Sequence, residues 1–198
     1  QIEYLKSIIL NSIDNGDEIE AEKYLKKILF IDNYDVFALK YLALICLNLN
    51  RYKESEDYFN KLIAKIPFDE EIYRNFATLY EKNFQFLKAI DVYKYIIKLN
   101  PNNASTYNNL AVLYYKNGDI KESISYYNKA IQIDKNYYQA FNNLAAIFAN
   151  HGDNEKAIEL YRKSLEINPS YYDALYNLGN IYRRKGDFTN SIIQLKKC

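Results

Sequence analysis

The chain has no Met and no Trp, one His, two Cys, three Pro and five Gly in 198 residues. Each shortage excludes something. With His151 the sole imidazole, His-based metal sites and His-dependent triads hang on one residue. Cys46 and Cys198 lie far apart and make no disulfide framework. They read as two reduced thiols, which points to an intracellular, cytoplasmic location. So few Gly and Pro cannot supply the tight turns of a sandwich or barrel; they fit a helical chain. Neither sign of charge dominates: 26 Lys+Arg stand against 25 Asp+Glu, a net +1. That balance gives no field for nucleic acid or an anionic membrane, and neither is expected as a partner. The longest apolar run, Tyr41 to Leu47, falls far short of the ~20 residues of a membrane span. No secretory leader is legible at the start, and a start at Gln1 rather than Met leads to the expectation of a fragment or processed product. At 49% hydrophobic and 26% charged, it is not disordered by composition.

What is present is a period. Gly118, Gly152 and Gly186 stand 34 residues apart, and Gly16 lies three periods before Gly118. Pro67, Pro101 and Pro169 obey the same spacing. Cut at that period, the chain gives 2–35, 36–69, 70–103, 104–137, 138–171 and a truncated 172–198, with no gap. Position 7 of the frame holds Ile8, Leu42, Phe76, Leu110, Leu144 and Leu178. Position 8 is small after the first repeat: Ala43, Ala77, Ala111, Ala145 and Gly179. Position 20 is Ala or Ser throughout, and position 24 is bulky throughout.

This pattern resembles the tetratricopeptide repeat, with bulky residues at 4, 7, 11 and 24, small ones at 8 and 20 and Pro at 32. The resemblance covers essentially the whole chain. It implies an all-α, right-handed superhelical solenoid of antiparallel helix pairs, forming a single domain over 1–198. Trp at position 4 is replaced by Leu, Tyr or Phe.

Local physical chemistry leads to the same helices. In 104–137, Tyr107, Leu110, Ala111 and Tyr114 share one helix face. Gly118 ends that helix with a left-handed residue. Asp119 with Glu122, and Asp17 with Glu20, predict capping boxes on the second helices. Asn50 replaces the turn glycine in one repeat and tolerates the left-handed conformation. Phe84 replaces it in another, which predicts a turn built differently there. The first repeat, with Ile9 and Ser12 in atypical positions, reads as a cap. An apolar last repeat with no capping helix predicts that the native chain continues, or that the end pairs with a second copy as a homodimer.

No active site is legible. Walker, dinucleotide, HExxH and CxxC motifs are absent, and no metal or cofactor is expected. His151 sits in a turn, and the acidic run Asp69, Glu70 and Glu71 opens a helix, where the dipole favours it. The expectation is a non-enzymatic scaffold binding an extended peptide or protein segment in a concave groove. Position 6, which faces that groove by resemblance, reads Asn75, Asn109, Asn143 and Asn177 in successive repeats. A carboxamide both donates and accepts, so such a column can hold a peptide backbone without reading its sequence. It looks like the asparagine ladder of superhelical repeat domains such as those of the O-linked N-acetylglucosamine transferases. Asn108, Asn142 and Asn180 flank the column as further peptide-binding candidates, and Lys82, Lys116 and Arg184 give the edge a basic bias toward acidic ligands. The carboxylate clamp of chaperone-binding relatives is incomplete: Lys40, Leu44, Asn75, Ser105 and Asn109 do not satisfy it, nor do Arg74, Thr78, Asn109, Gln139 and Asn143. Two other readings remain: the substrate-recruiting region of a larger glycosyltransferase, or a self-assembling module.

Overall fold

A computed structural model of the chain describes residues 1–197; Cys198 lies outside the described residues. Among these, twelve α-helices and no strand occur. They are α1 (Ile2–Asp14), α2 (Glu18–Ile31), α3 (Val36–Asn48), α4 (Tyr52–Lys65), α5 (Glu70–Lys82), α6 (Phe86–Leu99), α7 (Ala104–Asn117), α8 (Ile120–Ile133), α9 (Tyr138–Asn150), α10 (Asn154–Ile167), α11 (Tyr172–Arg184) and α12 (Phe188–Leu195). Each 34-residue stretch thus carries two helices, A then B, and the expected all-α helical solenoid is what forms. The helices gather into two compact units, Gln1–Leu99 and Asn100–Cys198.

Within each unit, successive helices pack on one another. In the first, α3 also meets α5; in the second, α7 meets α9 and α9 meets α11. The small positions explain the closeness of each A–B pair. Ala43, Ala77, Ala111, Ala145, Ala89 and Ala157 are fully buried. At two of the three Ser in position 20 the hydroxyl donates to the carbonyl of position 8: Ser55 Oγ to Ala43 O at 2.7 Å and Ser123 Oγ to Ala111 O at 2.8 Å. A Cβ built on Gly179 would come within 2.8 Å of Leu195 Cγ. Larger side chains at such contacts overpack them by ~1–3 kcal/mol.

All six A–B turns use one geometry. The residue after helix A, or one beyond it, has positive φ: 75° at Gly16, 58° at Asn50, 56° at Phe84, 90° at Gly118, 85° at Gly152 and 77° at Gly186. At Gly118 its N–H donates to Tyr115 O at 3.0 Å, and the next N–H donates to Tyr114 O at 2.9 Å. That pair of bonds is the Schellman closure. Phe84 repeats it, with bonds to Glu81 O (3.0 Å) and from Gln85 to Tyr80 O (2.8 Å). The expectation of a different turn at Phe84 is therefore corrected. Closing α5 onto α6 overrides the local preference of an aromatic residue, whose ring stays 81% exposed against Phe86.

The capping expectations need a second correction. Asp17 Oδ1 accepts from Glu20 N at 2.9 Å, as a cap should. The reciprocal bond is missing, because Asp17 N already donates to Ser12 O; Glu20 instead accepts from Ser12 Oγ at 3.4 Å. Asp119 makes no side-chain cap at all. Its carboxylate accepts from Asn117 Nδ2 at 2.6 Å, which turns it away from α8.

Candidate functional site

The A helices α7, α9 and α11 of the second unit bring five of the candidate asparagines together. Asn108 and Asn142 are buried, at 6% and 5% exposure, while Asn109, Asn143 and Asn177 are half-buried. Their carboxamides form a single hydrogen-bonded row. Asn177 Nδ2 donates to Asn142 Oδ1 (3.5 Å), Asn142 Nδ2 to Asn143 Oδ1 (3.2 Å), Asn143 Nδ2 to Asn108 Oδ1 (3.1 Å) and Asn108 Nδ2 to Asn109 Oδ1 (3.3 Å).

Two kinds of step alternate. One joins neighbours on the same helix; the other joins position 6 of one repeat to position 5 of the repeat before it, 35 residues away. Every donor points toward α7, so the row has a direction. At its α7 end Asn109 keeps both N–H groups of Nδ2, and at its α11 end Asn177 keeps Oδ1. Asn143, in the middle, has spent one N–H and one lone pair and retains one of each. Bonds in such a row polarise one another.

The remaining candidates stand apart from this row. Asn180 lies half-buried on α11, and Lys116 and Arg184 are exposed near the ends of α7 and α11. In the first unit Asn75 is half-buried on α5 and Lys82 is exposed at its end. Position 5 there is cationic rather than amide: Lys40 pairs with Glu71 at 3.0 Å and Arg74 with Glu70 at 3.4 Å. Asn75 thus lacks the buried asparagine neighbour that Asn109 and Asn143 have.

Sequence reasoning placed Asn108 and Asn142 among ligand contacts. Both are buried, and their carboxamides donate to the half-buried Asn109 and Asn143. The doublets Asn108-Asn109 and Asn142-Asn143 were the available signal. Sequence reasoning also missed a further inter-repeat bond, Asn150 Nδ2 to Tyr115 Oη at 3.0 Å. One turn before the row, Thr106 Oγ1 and Gln139 Oε1 are buried without a hydrogen-bond partner among the described residues. His151 Nδ1 meets Ile147 O at 2.8 Å in its turn, as expected of a residue ending a helix.

This geometry, helix pairs repeated every 34 residues with polar side chains aligned along successive A helices, defines a helical-repeat scaffold. The chain belongs to the tetratricopeptide repeat family. The model of the N-terminal repeat region of Psidin matches residues 7–126, more than half of the chain, and two further tetratricopeptide repeat models match 102–170 and 160–192. No curated protein matches significantly in sequence. Solved structures do match in fold. MamA from Desulfovibrio magneticus RS-1 is 20% identical with a TM-score of 0.74, over 86% of this chain and 96% of that one. A tetratricopeptide repeat protein from Parabacteroides merdae is 16% identical with a TM-score of 0.81, over 99% and 78%. YrrB, described as having an unusual peptide-binding site, is 18% identical with a TM-score of 0.59, over 87% and 89%. Proteins of this family are in general non-catalytic interaction scaffolds, and the fold here is of that kind. Among the described residues, no helix is long and apolar enough to cross a membrane.

Proposed function

We propose that the six repeats work as one non-enzymatic scaffold, and that the second unit binds the backbone of an extended polypeptide along Asn109, Asn143 and Asn177. The observation that carries this reading is the directional carboxamide row. Asn143 retains one donor and one acceptor, the complement of a single peptide group. Asn109 offers donors and Asn177 an acceptor, so the row favours a ligand presenting a carbonyl or carboxylate toward α7 and an N–H toward α11. Asn108 and Asn142 position these groups. Lys116, Arg184 and Asn180 bias the neighbourhood toward acidic and polar ligand side chains, and Asn75 and Lys82 offer the first unit's own contacts. Similarity to YrrB, a protein described with a peptide-binding site, supports a ligand of this class.

The test compares the wild-type chain with Asn109→Ala/Asn143→Ala in capture from a lysate, followed by titration of a peptide from a captured protein. Two lost hydrogen bonds at about 1 kcal/mol each lower affinity by roughly 10- to 30-fold. An unchanged capture profile overturns the reading.

Self-association is a second reading. It rests on exposed apolar side chains of α11 and α12: Tyr172, Tyr176, Phe188 and Ile192. Sedimentation at increasing concentration tests it, and a monomer throughout removes it.

A further inference from the structure

The outward face of α2 differs from that of every other full-length B helix. Ala21, Leu25 and Ile28 form its buried stripe, each at 0% exposure. On the opposite side, within an arc of roughly 100° at 3.6 residues per turn, lie Ile19, Lys23, Lys26, Lys27 and Phe30. Ile19 is 81% exposed and Phe30 is 92% exposed. The repeat frame supplies an internal control. The positions of Ile19 and Phe30 are Lys53 and Ala64 in α4, Leu87 and Lys98 in α6, Lys121 and Gln132 in α8, and Glu155 and Glu166 in α10. The position of Lys23 is Asp57, Asp91, Ser125 and Glu159. Only α2 sets two large apolar residues and a run of lysines on its solvent face.

The acids of α2 are engaged by hydrogen bonds, and Glu22 alone of them sits at the edge of that face, beside Ile19, Lys23, Lys26, Lys27 and Phe30. Glu18 accepts from Asn48 Nδ2 at 3.1 Å, Glu20 from Ser12 Oγ, and Glu22 from both terminal guanidinium nitrogens of Arg51 at 3.0 and 2.7 Å. Lys26 is tied to Glu22 at 2.6 Å. Lys23 and Lys27 have no carboxylate partner among the described residues and lie 5.9 and 4.7 Å from the centre of the Tyr24 ring. Lys61 of α4 adds a further cation beside Tyr58 and Phe30, on the rim of an open cleft of about 530 Å³. A net charge of +1 averages this face with the rest of the chain and conceals it.

We propose that the outward face of α2 is a docking surface for an anionic lipid bilayer. The helix lies along the interface, Ile19 and Phe30 enter the boundary between headgroups and acyl chains, and Lys23, Lys26, Lys27 and Lys61 meet the headgroups. Charge complementarity selects an anionic occupant. The spacing selects a bilayer over a protein. Eleven residues, about 16 Å along the axis, separate the two apolar residues, and between them that face carries Lys23, Lys26 and Lys27, with Glu22 at its edge held by Arg51 and Lys26. A helical protein partner calls for apolar contacts at every turn. A bilayer needs only shallow apolar insertion with cations around it. This inference is independent of the carboxamide row.

Because the chain has no Trp, Phe30→Trp introduces a single indole reporter. The full chain is mixed with vesicles of phosphatidylcholine containing one-third phosphatidylserine, and with phosphatidylcholine alone, at about 0.1 M salt. The proposal expects sedimentation with the anionic vesicles only, a blue shift of the indole emission, and release by high salt. Lys23→Glu/Lys27→Glu lowers binding at least tenfold, given about a fivefold effect for each lysine. Lys23→Arg/Lys27→Arg retains binding, and Ile19→Ser/Phe30→Ser loses it, with far-UV circular dichroism confirming the fold of each variant. A chain that stays in the supernatant with unshifted emission overturns the proposal. So does a charge-reversed variant that binds like wild type, or a chain that binds neutral vesicles equally.

Discussion

Asn143 Nδ2 donates to Asn108 Oδ1 at 3.1 Å, joining two repeats through side chains 35 residues apart. The same step recurs from Asn177 to Asn142, so α7, α9 and α11 are held in register by carboxamides as well as by apolar packing. This makes Asn142 a positioning residue. Asn142→Ala removes one bond on either side of it and leaves partners unsatisfied. A destabilisation of about 1–3 kcal/mol is expected. Side-chain amide signals of Asn143 and Asn177 move in NMR spectra of the variant, whereas Asn180→Ala leaves them in place.

Phe84 holds φ at 56° with most of its ring in solvent. A non-glycine residue in that region carries roughly 1–2 kcal/mol of strain. Phe84→Gly therefore stabilises the chain by about 1 kcal/mol, read as a rise in Tm. Gly118→Ala, at φ 90°, lowers it by a similar amount. A fall in Tm for Phe84→Gly means that the Phe84–Phe86 contact outweighs the strain.

Glu22 ties α2 to the start of α4. The Arg51 hydrogen bond, followed by that from Lys26, holds its carboxyl below the usual range. A carboxylate depressed in the folded state contributes stability that is present above its unfolded pKa and is lost as pH falls through the folded value. Glu22 is only 13% exposed, which limits screening. Glu22→Gln costs about 1–2 kcal/mol at pH 7. The gap from wild type narrows as pH drops below roughly 4 in urea denaturation.

Burial pushes the Cys46 thiol up to about 11, and the side chain is fully covered. In a Cys198→Ser variant at pH 8, a thiol reagent labels Cys46 at a rate set by opening of the structure, and denaturant accelerates it by orders of magnitude. Rapid labelling of the native protein contradicts this.

Ala111 and Ser123 meet through the 2.8 Å hydroxyl bond that closes α7 on α8. Ala111→Leu overpacks that contact and costs about 1–3 kcal/mol, measured by thermal unfolding. Gly179→Ala also costs stability, because its Cβ would meet Leu195 Cγ at 2.8 Å and force Leu195 to shift.

The helix pairs were legible because one period is written three times over, in Gly, in Pro and in the small positions 8 and 20. Phe84 shows where that reading stops. The helix on either side dictates the turn, and a local preference of a kcal/mol or two does not outvote it. Asp119 shows the same at smaller scale, since its neighbour Asn117 captures the carboxylate. For the candidate site, the frame named the face on which Asn109, Asn143 and Asn177 lie. It did not reveal that Asn108 and Asn142 are covered, because a period within one chain says nothing of how deeply the next repeat shields it. The oddity of α2 was visible in the alignment of repeats, as Ile19 and Phe30 against mainly polar or charged counterparts. The bonds that engage its acids, to Asn48, Ser12, Arg51 and Lys26, are ones that no spacing foretells.

A one-way row of amides has a twin in which every carboxamide has turned over. One amide cannot turn alone without setting N–H against N–H on one side and oxygen against oxygen on the other, so the row reverses as a whole or stays. A ligand group that accepts at Asn109 favours one sense, and a group that donates there favours the other. Whichever sense is held decides whether Asn177 presents oxygen or nitrogen, two repeats away. The sense of the row at Asn109 is therefore bound to its sense at Asn177, through side chains alone.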